Sequence, residues 1–128
     1  MNASSVMPML SVTDMTRALA FYQRVLGGKQ TYQFPPEGGP AYLTLKFGET
    51  ELGIGLISDK PLHGIPQRPA TGHRIELCIN VDDVDQAIVE LEEIGTRVVM
   101  PEQELPWGER SAYVEDPEGN LVLLVETA

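Results

Sequence analysis

The sequence predicts an α+β fold made of two copies of one unit: strand, helix, then three strands. Three observations carry this. A short apolar strand running into an acidic helix cap occurs twice, helical periodicity stopped by glycine follows each time, and each helix is followed by a strand, a Pro/Gly-rich loop and two strands across a tight turn.

In the first copy, residues 7–12 (Met7-Pro8-Met9-Leu10-Ser11-Val12) form the apolar strand and Asp14 stands at the helix N-cap. Ala18, Leu19, Tyr22, Val25 and Leu26 then recur at helical spacing, and Gly27-Gly28 ends the helix. Strand-like residues 29–34 follow, then the loop at 35–40. Strands at 41–47 and 51–57 close the unit across Gly48-Glu49-Thr50. The second copy repeats this with a strand at 76–81 and a cap at Asp83. Its helix carries Ala87, Ile88, Leu91 and Ile94, and Gly95 stops it. A strand at 97–100 and a loop at 101–108 follow, then strands at 111–115 and 121–126 across Asp116-Pro117-Glu118-Gly119-Asn120. Residues 58–72, with three prolines, two glycines and no sustained period, read as a linker or lid. The organisation is therefore a first unit at 1–57, a linker at 58–72 and a second unit at 73–128. One helix covers only one face of a four-stranded sheet, so the open faces need each other or a second chain.

Composition excludes several classes. The chain has 128 residues, with 19 Asp plus Glu against 9 Lys plus Arg, for a formal charge of −10. That surplus repels phosphate backbones and anionic lipid, so neither nucleic acid nor membrane is an expected partner. The longest uncharged apolar run, residues 121–125, is far short of the roughly 20 residues of a membrane span. The amino terminus has no basic stretch before an apolar run and the single thiol cannot form an internal disulfide, so a reducing cytoplasm is expected. Neutral or cationic small molecules suit this charge best.

The doubled unit, the helix end Ala20-Phe21-Tyr22-Gln23-Arg24-Val25-Leu26-Gly27, and Trp107-Gly108-Glu109-Arg110 with the Asp116 to Asn120 turn resemble the glyoxalase/bleomycin resistance/extradiol dioxygenase superfamily, the vicinal oxygen chelate proteins. The resemblance spans nearly the whole chain. It implies that the two units form a half-barrel with a concave ligand groove. In metal-dependent members, four strand positions supply His, Gln or Glu to a divalent ion. Here those positions fall on Met7, Gly53, Glu76 and Leu123. A thioether, a glycine and a leucine are not the oxygen or nitrogen donors that such ions require. No metal and no other cofactor is therefore expected, and the likeness points to the non-metal bleomycin-resistance branch, which binds its drug as a dimer without chemistry.

By strand alternation Leu10, Val12, Leu77, Ile79 and Val81 face the helices, leaving Met7, Met9, Glu76, Cys78 and Asn80 on the concave side. Glu76 is either an acid among methionines, able to hold a cation or act as a base if the protein is an enzyme, or a strand-edge carboxylate paired with Arg74 or Arg110. Cys78 reads as a small buried hydrophobe rather than a nucleophile. Trp107, in a loop, is a stacking platform for a planar ligand, and Phe34 and Tyr42 form the matching wall of the first unit. Arg110 either anchors an anionic ligand group or closes an internal salt bridge. His63 reads as a solvated linker residue and His73 as a strand-entry residue. The expected function is sequestration of an apolar or cationic planar small molecule by a homodimer. A metal-dependent glyoxalase-like lyase, isomerase or dioxygenase is the alternative.

Overall fold

The computed structural model describes residues 1–73 and 75–126. The first unit comprises β1 (Met9–Val12), α1 (Met15–Leu19) with a π-helical continuation (Ala20–Val25), β2 (Lys29–Phe34), β3 (Tyr42–Phe47) and β4 (Thr50–Leu56). The second comprises β5 (Glu76–Val81), α2 (Val84–Glu93), β6 (Arg97–Glu104), β7 (Arg110–Glu115) and β8 (Leu121–Glu126). Each makes one four-stranded sheet, in the orders β1-β4-β3-β2 and β5-β8-β7-β6. The first and last strands of each unit run parallel, and the other pairs are antiparallel.

Local chemistry sets the helix ends. Asp14 Oδ1 accepts from the Arg17 N–H at 3.0 Å, and Asp83 Oδ1 from the Gln86 N–H at 3.0 Å. Each cap contributes about 1 kcal/mol by satisfying an amide that the helix cannot pair internally. Gly27 (φ 80°) and Gly95 (φ 85°) take the left-handed conformation that ends each helix.

The helices pack on one face of each sheet. Leu10, Val12, Leu43, Leu45, Leu52 and Ile54 meet Ala18, Phe21 and Tyr22; Ala112, Val114, Val122 and Leu124 meet Val84, Ala87, Ile88 and Leu91, all in one core. Phe21 and Tyr22 are fully buried edge to face, with ring centroids 4.7 Å apart. Burial of each ring stabilises the fold by roughly 1.5–3 kcal/mol.

The units are joined through the first helix and the β7–β8 turn. Tyr22 Oη donates to Asp116 Oδ2 at 2.6 Å. Asp116, 4% exposed, also accepts from the Glu118 and Asn120 N–H groups and from Asn120 Nδ2. Burial, then the Asp116 charge and the hydrogen bond, hold the Tyr22 phenol far above its ordinary range. Thr13 Oγ1 adds a second link, donating to Glu118 at 2.9 Å. The Phe-Tyr helix end and the Asp-Pro-Glu-Gly-Asn turn, distant in sequence, are therefore two halves of one buried contact.

Three details differ from the sequence reading. Regular β1 pairing begins at Met9, not at 7. The first helix changes to π winding at Ala20, with the Leu26 N–H reaching Phe21 O at 3.1 Å. β6 runs to Glu104 rather than ending at 100, because the ladder slips between Met100 and Gln103 and so accommodates Pro101, which has no N–H to pair. The two four-stranded sheets of the doubled βαβββ fold are as expected; among the described residues no strand ladder joins them, and the units meet through helix and turn.

Candidate functional site

Each sheet has a face turned away from its helix, and the expected binding residues fall mainly there. In β1, exposed Met9 and Ser11 alternate with buried Leu10 and Val12. Met9 is 65% and Phe34 57% exposed. The register sets Phe34 opposite Tyr42 on neighbouring strands, and Tyr32 lies 6.2 Å from Tyr42 between ring centroids. Gly53, opposite Met9 in β4, gives this face its floor, and Tyr42 reaches across it. Burial first, then the Glu51 charge and Tyr32, push the Tyr42 phenol up. Glu51, at one end of the face, accepts from Thr31 Oγ1 at 2.9 Å and stands opposite Lys46. Met7 is also exposed, just before β1.

The second unit presents different chemistry. Glu76, Cys78 and Asn80 are exposed and alternate with half-buried Leu77, Ile79 and Val81. Tyr113 Oη donates to Glu76 Oε1 at 2.6 Å, and this bond, with partial burial and the Glu76 charge, raises the Tyr113 phenol. Trp107 Nε1 donates to Glu109 Oε1 at 2.6 Å, leaving the indole 69% exposed. Glu109 and Glu76 both act on Cys78: partial burial first, then their negative charges, push its thiol up, disfavouring the thiolate.

Several placements correct the sequence reading. Cys78 is exposed on the open face rather than buried, because β5 is an edge strand and no helix covers that side. Arg110 closes an internal salt bridge, one of the two roles expected of it: it points to the helix side, where its guanidinium grips Asp85 in two hydrogen bonds of 2.7 and 3.1 Å. It lies one residue out of phase with Tyr113's alternation and so leaves the open face. This bond lowers Asp85 and raises Arg110. Glu76 is hydrogen-bonded by a phenol, not Arg110; Arg74 lies outside the described residues. His73 Nε2 meets Gly119 O at 3.1 Å, and His63 Nδ1 accepts from the Ile65 N–H. Tyr113, Glu109 and Tyr32 were not singled out in the sequence. Alternation of Ser111, Tyr113 and Glu115 with Ala112 and Val114 is the signal that places Tyr113 on the open face.

A cleft of about 1210 Å³ opens between the end of the first helix, the β3–β4 turn and the β5–α2 corner, lined by Leu26, Phe47, Leu52, Leu77, Ile79 and Ala87 among others. Of the expected binding residues it includes only Cys78, so that set is not gathered around it. No helix among the described residues is long and apolar enough to cross a membrane.

The doubled βαβββ architecture and the Tyr22–Asp116 joint define the class. The chain belongs to the Glyoxalase/Bleomycin resistance protein/Dioxygenase superfamily, whose model matches residues 5–124. Among curated proteins it is similar to mitochondrial methylmalonyl-CoA epimerase of Bos taurus, 30% identical over 99 residues, covering 75% of this chain and 57% of that protein. The chain thus spans about half the length of that relative. Among solved structures it is similar to a superfamily member from Sphaerobacter thermophilus DSM 20745, with TM-score 0.72 and 26% identity, covering 98% of each chain. It is also similar to lactoylglutathione lyase from Agrobacterium tumefaciens, with TM-score 0.67 and 25% identity, covering 98% of this chain and 95% of that one.

The superfamily's divalent ion does not fit these residues. The four positions that the resemblance assigns to it hold Met7 just before β1, Gly53 on β4, Glu76 on β5 and Leu123 on β8, and Glu76 has one oxygen committed to Tyr113. One carboxylate leaves an ion almost wholly hydrated. Among the described residues no three His, Cys, Asp or Glu side chains come together in a metal-holding group.

Proposed function

We propose that the protein binds a planar organic molecule, apolar or cationic, without a metal and without catalysis, as in the bleomycin-resistance branch of its superfamily. The observation that carries this reading is Glu76: one carboxylate, oriented by Tyr113, on a face shared with Leu123, Cys78 and Asn80. Such a surface offers a counter-charge and apolar contact, which suit an organic cation better than a metal ion. Trp107, exposed with its N–H already bonded to Glu109, presents a ring face for stacking.

The working form is a homodimer in a reducing cytoplasm. Among the described residues β1 and β5 are edge strands of their sheets, and a second copy covers such edges at least cost. Sedimentation velocity gives the mass of two chains under this reading.

The test uses proflavine, a planar cation, titrated against the fluorescence of the single tryptophan. Saturable quenching is expected, with proflavine recovered unchanged and affinity about tenfold lower in Glu76→Gln, equivalent to roughly 1.4 kcal/mol. A second reading has one specific support: the likeness to methylmalonyl-CoA epimerase, together with Glu76 placed where a base could stand. Exchange of the substrate α-hydrogen with deuterated water on incubation with methylmalonyl-CoA, abolished by Glu76→Gln, decides for that reading.

A further inference from the structure

The cleft between the two units gathers charges of opposite sign that pair with nothing. From the first unit it is lined by Lys29 and Lys46, which the β2–β3 register sets directly opposite one another. Like charges so placed repel, and among the described residues neither ammonium has an ion-pair partner. Glu51, the acid on the same wall, is held by Thr31. From the second unit come Asp82 and Glu90, whose carboxylates have neither a hydrogen bond nor an ion pair among the described residues. Asp83 beside them is committed to the helix cap. The rest of the wall is apolar, with half-buried Leu26 and Phe47 from the first unit and Leu77 and Ile79 from the second. At about 1210 Å³ the cleft exceeds the roughly 300–1,000 Å³ that holds a drug-sized molecule.

We propose that this cleft is a second binding site, for a zwitterion with an apolar body, of the chemical class of a short apolar peptide with both ends free. Its carboxylate bridges Lys29 and Lys46 and relieves their repulsion, its ammonium lies against Asp82 and Glu90, and its side chains cover the apolar wall. An anion alone leaves both carboxylates unpaired and is repelled by a chain of charge −10; a cation alone leaves the lysines facing one another. A molecule that carries both charges complements both walls at once. The site is separate from the one proposed above, since neither Glu76 nor Trp107 lines the cleft.

Calorimetric titration of the whole chain with trileucine, its ends free or blocked, tests this. The free peptide is expected to bind saturably. Amidating its carboxyl end is expected to weaken binding about fivefold in the wild type and not at all in the Lys29→Gln, Lys46→Gln double variant. Acetylating its amino end is expected to do the same in the wild type and nothing in the Asp82→Asn, Glu90→Gln double variant. All four positions are exposed, so both variants are expected to keep the wild-type urea midpoint. Proflavine affinity is expected to stay at its wild-type value in both, because Glu76 is untouched. No binding of the free peptide, equal affinity for free and blocked forms, or the same penalty for blocking in wild type and variants overturns the proposal and leaves the proflavine reading standing. Proflavine affinity that falls together with peptide affinity means one site serves both, and overturns it as well.

Discussion

The open faces of the two units have the same backbone and opposite chemistry. The first is aromatic and close to neutral: Met9, Tyr32, Phe34 and Tyr42 lie over a glycine floor, and its one acid, Glu51, is tied to Thr31 and faces Lys46. The second is acidic: Glu76 stands opposite Leu121 rather than a lysine, and Glu109 lies near enough to influence the same thiol. The duplication preserved what makes a sheet and a cap, while the outward residues of each copy diverged. The pair of faces suits a molecule with a flat apolar body and a positive charge better than either face alone does.

The largest predicted effect concerns the joint that holds the two faces in one body. Asp116→Ala strands the buried Tyr22 hydroxyl and removes the acceptor of three hydrogen bonds within its own turn, at an expected cost of about 3 kcal/mol by urea unfolding. A loss under 1 kcal/mol would show that the units are held mainly by helix packing. Next comes a charge comparison: neutralising Glu51 to Gln is expected to leave proflavine affinity within about twofold of wild type, against the tenfold loss for Glu76→Gln, because Glu51 already faces a cation. Equal effects would mean that the faces are not electrically distinct.

Phe34→Ala, read by the same titration, is expected to weaken binding about threefold through lost ring contact. The smallest effect is at Cys78. Its raised thiol holds less thiolate at pH 8 than a free cysteine, so iodoacetamide alkylation is slower than for a free thiol, and Glu109→Gln is expected to speed it about twofold by removing one of the raising charges. An unchanged rate in that variant would place Glu109 too far from the open face to act on a ligand there.

The sequence was most legible where local chemistry decides structure. Asp14 and Asp83 cap as expected, and the alternation of Leu10 and Val12 with Met9 and Ser11 gives the facing of β1. It was less legible where a contact joins distant segments. Nothing near Tyr22 announces that its hydroxyl ends on Asp116, though both motifs are visible, and Pro101 reads as a loop because the slip that admits it depends on β7. Arg110 shows the same limit: one step along β7 separates a binding face from a helix face, and the choice rests on Asp85. Tyr42 over Gly53 is a third case, since an absent side chain does not reveal what fills its place.

The most direct measurement is the proflavine titration repeated on protein dialysed exhaustively against EDTA and then against buffer carrying Zn²⁺ or Ni²⁺. Glu76 and Trp107 as the recognising groups predict one quenching curve for all three preparations. Binding lost with the chelator and restored by either ion would mean that a metal, not these side chains, holds the molecule.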